Sequence, residues 1–234
     1  MELRICHLYP EMLNLNGDHG NVMILADRAK RRGISVKVHD LSFGDRFSAD
    51  SYDIVFLGNG QDEELSAVLK ELLENDVESL KEYVEADGVL LAVGGGYELL
   101  GETGLSLLPI RAQIADQRLI GNTVVKDGER VYIGFENHAG RMDIGSLKPL
   151  GKVVYGVGNT GKEGDEGCRY KNVVGTYLHG PLLAKSPELA DELLLTALSR
   201  RYGEISLEPL SDAFEKAAKN QLLQRFFPKT NERK

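Results

Sequence analysis

The stretch LLAVGGGYELLG at residues 90–101 constrains this chain more than any other, because an apolar run of strand length breaks into three glycines and continues at once in a helical pattern. A strand that turns directly into a helix needs residues that tolerate φ > 0 and allow close approach to the backbone, and Gly94, Gly95 and Gly96 supply both. The same rhythm recurs upstream. Apolar runs at residues 3–8, 34–39, 53–57 and 88–93 read as strands, and DIVFL and GVLLAV are apolar enough to be covered on both faces. Between them, Val22, Met23, Leu25, Ala26 and Ala29 recur at helical spacing over residues 21–32, ahead of Gly33. Residues 62–85 give one or two amphipathic helices with a solvated Glu/Lys face. Strands alternating with helices predict βα units around a largely parallel sheet, an α/β fold.

From residue 120 onward the pieces are shorter and β-rich: 120–125, 130–134, 152–157 and 173–178, separated by turns such as KDGE and GNTGKEGDEG. They are expected to extend the same sheet, partly antiparallel. A helix over 187–201 starts at Pro187, and another is expected over 212–227. With no repeat or linker in sight, the reading is one domain over 1–205 and a C-terminal helix and tail, 206–234, packed on it or on a partner.

Composition narrows the function. Asp plus Glu number 36 against 28 Lys plus Arg, a net charge of -8 that disfavours nucleic acid and anionic membranes as partners. Cys6 and Cys168 cannot build a disulfide framework, and no Cys/His cluster has metal-ligand spacing. No run approaches the 18 apolar residues of a membrane span and no basic, then apolar leader opens the chain, so a cytoplasmic protein without membrane insertion is expected.

The chemistry concentrates at strand ends. LGNGQD at residues 57–62 would lie at the same carboxyl edge of a parallel sheet as the glycine elbow, so two sets of backbone donors would face one pocket fit for an oxyanion or a phosphate. The elbow lacks the spacing of a phosphate-binding loop or a dinucleotide fingerprint. His179, in GTYLHGP, follows a β-rich run beside these turns, where a proton-transfer group belongs.

In this order and spacing, LGNGQD, LAVGGGYELLG, FENHAGR and TYLHGP resemble the class I glutamine amidotransferases of the cobyric-acid-synthase-like (CobB/CobQ-like) group, over roughly residues 3–200. Within that group NLNGDHGN, RLIGN and GFENHAGR are most similar to the glutaminase subunits of lipid II isoglutaminyl synthases. The resemblance implies a flavodoxin-like three-layer sandwich, its central sheet mostly parallel with an antiparallel extension. It implies glutamine hydrolysis through a cysteine thioester that forms with release of ammonia and is cleaved by water.

The family motif A-x-C-G-G-Y falls on residues 92–97, which puts Gly94 at the nucleophile position. His179 would be the general acid–base, and Gly60 and Gly95 the oxyanion donors, each worth about 2.7–4 kcal/mol in the transition state. Arg118 would hold the substrate carboxylate in a bidentate pair. Gln61, Tyr97, Asn137 and His138 would line the pocket. For the acid that orients His179, Asp18, Glu188 and a carboxylate from a partner subunit are all open.

No metal or cofactor is implied on this chain. ATP and Mg are expected on a Mur-ligase-like (MurT-type) synthetase partner, through which lipid II, and with it the inner face of the membrane, would be reached. Neither Cys6 nor Cys168 replaces the missing thiol, since neither lies in an elbow. Two accounts of Gly94 stand: a glycine deliberately put in place of a cysteine, or a natural glutamine-binding or scaffolding subunit. The otherwise intact surroundings favour the first. Two further rivals are a cobyric-acid-type enzyme with another acceptor, disfavoured by chain length, and a flavodoxin-like domain holding a phosphate cofactor.

Overall fold

In the computed structural model, which describes residues 1–162 and 164–226, strand β1 (Glu2–Leu8) lies at the heart of a sheet between β2 (Ser35–Leu41) and β3 (Ile54–Leu57). β4 (Val89–Val93) pairs in parallel with β3, and β10 (Val173–Thr176) in parallel with β4. β9 (Cys168–Tyr170) closes that edge antiparallel, giving the order β2-β1-β3-β4-β10-β9. Each βα connection carries a helix: α1 (His19–Lys30) after β1, α2 (Asp62–Asn75) and α3 (Val77–Glu85) after β3, and the short α4 (Gly95–Leu99) after β4.

The central strands read as continuous apolar runs because both faces are covered. Leu3, Ile5, Ile54, Phe56, Val89 and Leu91 meet α1 and α5 (Pro187–Tyr202) on one face. Cys6, Leu8, Val55, Leu57, Leu90 and Ala92 meet α2 and α3 on the other. The result is the flavodoxin-like α/β sandwich that the resemblance implies.

The later β pieces depart from expectation. Three of the four, 120–125, 130–134 and 152–157, do not extend the main sheet. β5 (Arg111–Asp127) and β6 (Arg130–Asp143) form a long hairpin, far longer than the 120–125 and 130–134 segments read from sequence, turning at Gly128 with φ +59°. With β7 (Gly151–Tyr155) and the two-residue β8 (Asp165–Glu166) they make a second sheet, β6-β5-β7-β8. Of the later strands, β10 joins the main sheet in parallel and β9 antiparallel. The two sheets touch where Phe135 of β6 bridges His179 through reciprocal backbone hydrogen bonds of 2.9 and 3.2 Å.

Helix α6 (Ala213–Phe226) is tied back to the domain. Lys219 pairs with Glu188 at 2.7 Å, and Asp212, just before the helix, pairs at 2.7 Å with Arg28 of α1. The tail from Phe227 onward lies outside the described residues. Arg28 is itself buried, and its guanidinium also forks onto Asp191 of α5 at 2.7 Å, so one cation joins three elements.

Candidate active site

The carboxyl edge of the parallel strands delivers three loops to one place. The first follows β4. Gly94 takes φ +59°, ψ −123°, a conformation that L side chains rarely adopt, and its N–H donates to Thr176 O at 2.9 Å. Gly96 N–H donates to Gly58 O at 3.1 Å, and a Cβ at residue 96 would drive into the backbone of Leu57 and Gly58. A sharp strand-to-helix turn of this kind presents residue 94 at the top of the sheet, as a nucleophile elbow does.

The second loop carries His179, fully buried just past β10. Its Nδ1 lies 3.0 Å from each carboxylate oxygen of Asp18, which is fully buried at the start of α1. An acceptor-only carboxylate facing Nδ1 fixes the tautomer with the proton there and leaves Nε2 as the basic nitrogen. Nε2 has no hydrogen-bond partner among the described residues, and Cε1 beside it lies 2.7 Å from where a Cβ on Gly94 would sit. Elbow, imidazole and carboxylate therefore line up in the order a nucleophile, a base and its orienting acid require.

Several contacts hold that alignment. Gly20 lets Pro181 press against α1, since a Cβ there would collide with the proline ring. Leu183 N–H donates to the buried Asn21 Oδ1 at 3.0 Å. Upstream of His179, the buried Glu166 accepts from Tyr177 N–H at 2.7 Å and from Thr176 Oγ1 at 3.0 Å. Burial pushes the Glu166 carboxyl up to about 8.

The third loop is the turn after β3, residues 58–60, which with the β5–β6 hairpin walls an open cleft over the elbow. Asn59, Gly60, Gly95, Glu98, Arg118 and His138 contribute to its lining. Arg118 is braced against the hairpin, donating Nε–H to Asn137 Oδ1 at 3.1 Å and Nη2–H to Asn137 O at 2.9 Å. Glu98 accepts from Tyr177 Oη–H at 3.0 Å, and burial raises its carboxyl above the ordinary range. The cleft thus sets a cation and a carboxylate in one lining with the Gly95 turn of the elbow, an arrangement suited to the two charged ends of an amino acid.

Similarity agrees with this geometry. A CobB/CobQ-like glutamine amidotransferase domain matches residues 4–187. The chain belongs to that family. The amidotransferase is 40% identical over 217 residues to the lipid II isoglutaminyl synthase (glutamine-hydrolyzing) subunit GatD of Streptococcus pneumoniae, covering 87% of this chain and 83% of that protein. It is 37% identical to the subunit of the same name from Staphylococcus aureus, covering 96% of each. Among solved structures, the fold matches a Thermotoga maritima glutamine amidotransferase with a TM-score of 0.54 at 17% identity, covering 97% of this chain and 99% of that one.

Not every residue singled out from sequence reaches the amidotransferase site. Glu188 is paired with Lys219 rather than with His179, whose Nδ1 faces Asp18. Tyr97 is fully buried in the core against the Tyr177 ring, because one step past the elbow α4 turns its side chain under the sheet edge. Gln61 is spent on a capping box at the start of α2, its side chain accepting from the Glu64 N–H while its own N–H donates to Glu64 Oε2 at 2.7 Å. His138 lines the cleft as a fixed wall. Its ring stacks on Tyr177 with centroids 3.6 Å apart, its Nδ1 meets Gly140 O at 2.8 Å, and burial lowers its titration to about 4.

Both cysteines are fully buried, and burial pushes the Cys6 thiol well up and the Cys168 thiol to about 12, so neither offers a thiolate. Three polar side chains of the lining, Asn59, Asp62 and Glu98, are not among the residues singled out from sequence. Glu98 was legible in principle, because a residue four past the elbow lies one helical turn above it.

Proposed function

We propose that this chain is the amidotransferase subunit of a lipid II isoglutaminyl synthase, working beside a Mur-ligase-like, MurT-type synthetase that holds ATP and Mg and amidates the α-carboxyl of D-glutamate in the lipid II stem peptide. The observation that carries the reading is the buried Asp18–His179 pair aimed at the elbow, beneath a cleft containing Arg118. In such a site a thiol at position 94 would give its proton to His179 Nε2 and attack the glutamine amide carbon. The imidazolium would return the proton to the departing nitrogen, and water would then release glutamate.

With Gly94 there is no sulfur to form the thioester, so in this sequence the subunit binds glutamine without cleaving it and acts through its partner. The test is to co-express the chain with the Mur-ligase-like synthetase of the same organism and follow lipid II amidation with glutamine or ammonium chloride as nitrogen source. The expected result is a stable complex that amidates from ammonium and not from glutamine. Failure to form a complex would overturn the assignment, and amidation from glutamine would show that the thiol lies elsewhere.

A further inference from the structure

Gly94 is not the only unusual residue at the elbow. Asn59, 5% exposed between Gly58 and Gly60, points its side chain into the space a nucleophile would need. A Cβ built on Gly94 falls 2.7 Å from both Asn59 Cγ and His179 Cε1 and 2.9 Å from Asn59 Cβ, closer than carbon atoms tolerate, so Asn59 crowds the position as tightly as the imidazole does and through two of its atoms. The obstruction is not the loose end of a long side chain. The Asn59 carbonyl accepts Leu15 N–H at 2.8 Å, and Gly58 and Gly60 on either side press on the Met12 and Leu13 backbone and the Leu13 side chain, so the turn cannot simply back away.

The same side chain occupies the other half of the machinery. Gly95 N–H, the donor directly after the nucleophile position, is bonded to Asn59 Oδ1 at 2.7 Å. In an elbow that N–H is one of the donors that would stabilise the tetrahedral oxyanion. Asn59 ends in a carboxamide, the group that ends a glutamine side chain, and its oxygen already holds the Gly95 N–H that a tetrahedral oxyanion would need.

We infer that Asn59 is an internal occupant of the elbow, filling the nucleophile's volume and the oxyanion donor with its own carboxamide, so that the pair Asn59–Gly94, rather than Gly94 alone, sets what this site can do. The inference rests on the amidotransferase reading of the site. Opening the site takes two changes: a thiol at 94, and removal of both the Cβ and the carboxamide at 59.

The test compares the full-length chain with Gly94→Cys, Asn59→Gly and the double variant, each with and without the synthetase. Two readouts are followed: ammonia release from L-glutamine, and the rate at which iodoacetamide, itself a small carboxamide, labels the new thiol by intact mass. The buried Cys6 and Cys168 of the parent provide the unlabelled baseline. The expected result is that Gly94→Cys stays at background for ammonia, while the double variant releases it at least 100-fold faster and labels at least tenfold faster than the single one. Equal labelling and equal ammonia release by the single and double variants would overturn the inference. Faster labelling of the double variant without ammonia release would uphold the Asn59 occupancy and tell instead against the glutaminase reading.

Discussion

The two limbs that meet at the cleft differ in how far they retain amidotransferase chemistry. The base limb, Asp18 and His179, is complete, buried and braced from four directions by Asn21, Gly20, Glu166 and the Phe135 bridge. The elbow limb keeps its backbone geometry but holds no nucleophile, and its Gly95 N–H is bonded within the protein. The elbow limb depends on the side chains at 59 and 94, whereas the base limb is interlocked with the core. The His–Asp pair is therefore held by packing as well as by its own hydrogen bond.

The largest effect that would sharpen this contrast is on the base limb of an opened site. In the Asn59→Gly/Gly94→Cys protein, Asp18→Asn is expected to lower the rate of ammonia release on the order of 10³–10⁴-fold, by allowing the wrong imidazole tautomer. A loss below tenfold would break the assignment of Asp18 as the orienting residue. Next comes the brace that joins the elements on either side of the Asp18–His179 contact. Arg28→Met strands Asp212 and half of the Asp191 pairing, and urea unfolding should report a loss of about 3 kcal/mol. A loss under about 1 kcal/mol would mean that the base limb stands without that ion-pair cluster.

In the cleft, Arg118→Ala should weaken glutamine binding in calorimetry by about tenfold or more, the size of one charge-assisted contact. The last effect is a slope, small at any one pH step. Glu166 is protonated in both states below its ordinary value of 4.5, and between there and about 8 the folded protein alone keeps the proton. Its contribution to stability is therefore fully present at low pH and fades as pH rises through that window, by up to about 1.4 kcal/mol per pH unit. Glu166→Gln should flatten the pH dependence of the urea midpoint in that range. An unchanged profile would remove Glu166 as the group responsible.

The parallel core was readable because its strands are buried on both faces: IVFL and VLLAV have no polar residue to disguise them. The β5–β6 hairpin was largely hidden. Its strands carry Arg, Gln, Asp and Lys, Ile114 and Ile120 point outward, and a register break between Ile114 and Leu119 interrupts the alternation that marks a strand. Its turn, KDGE, and the strand segments 120–125 and 130–134 beside it were plain, and the rest was not. Nothing in local pattern said that these strands would leave the main sheet, because that choice is made by the pairing of β5 with β6 and β7 and by the contact of Phe135 with His179.

At the site, position along the chain located His179 and the elbow, and placed Asp18 at the right sheet edge without choosing it over Glu188. The choice depends on a contact spanning 161 residues. Adjacency to an elbow does not say which way a side chain turns, and Tyr97 turns into the core. Asn59 was overlooked because it reads as an ordinary turn residue until its distance from Gly94 is known.

Gly94 and the two buried cysteines also fix how the protein meets oxidants. A thiol amidotransferase exposes a reactive sulfur that peroxide converts to sulfenic and then irreversible acids, and that electrophilic glutamine mimics alkylate. This chain has only two cysteines, both fully buried and both held as thiols by burial. An electrophile that acts by capturing an exposed cysteine would find none to capture here.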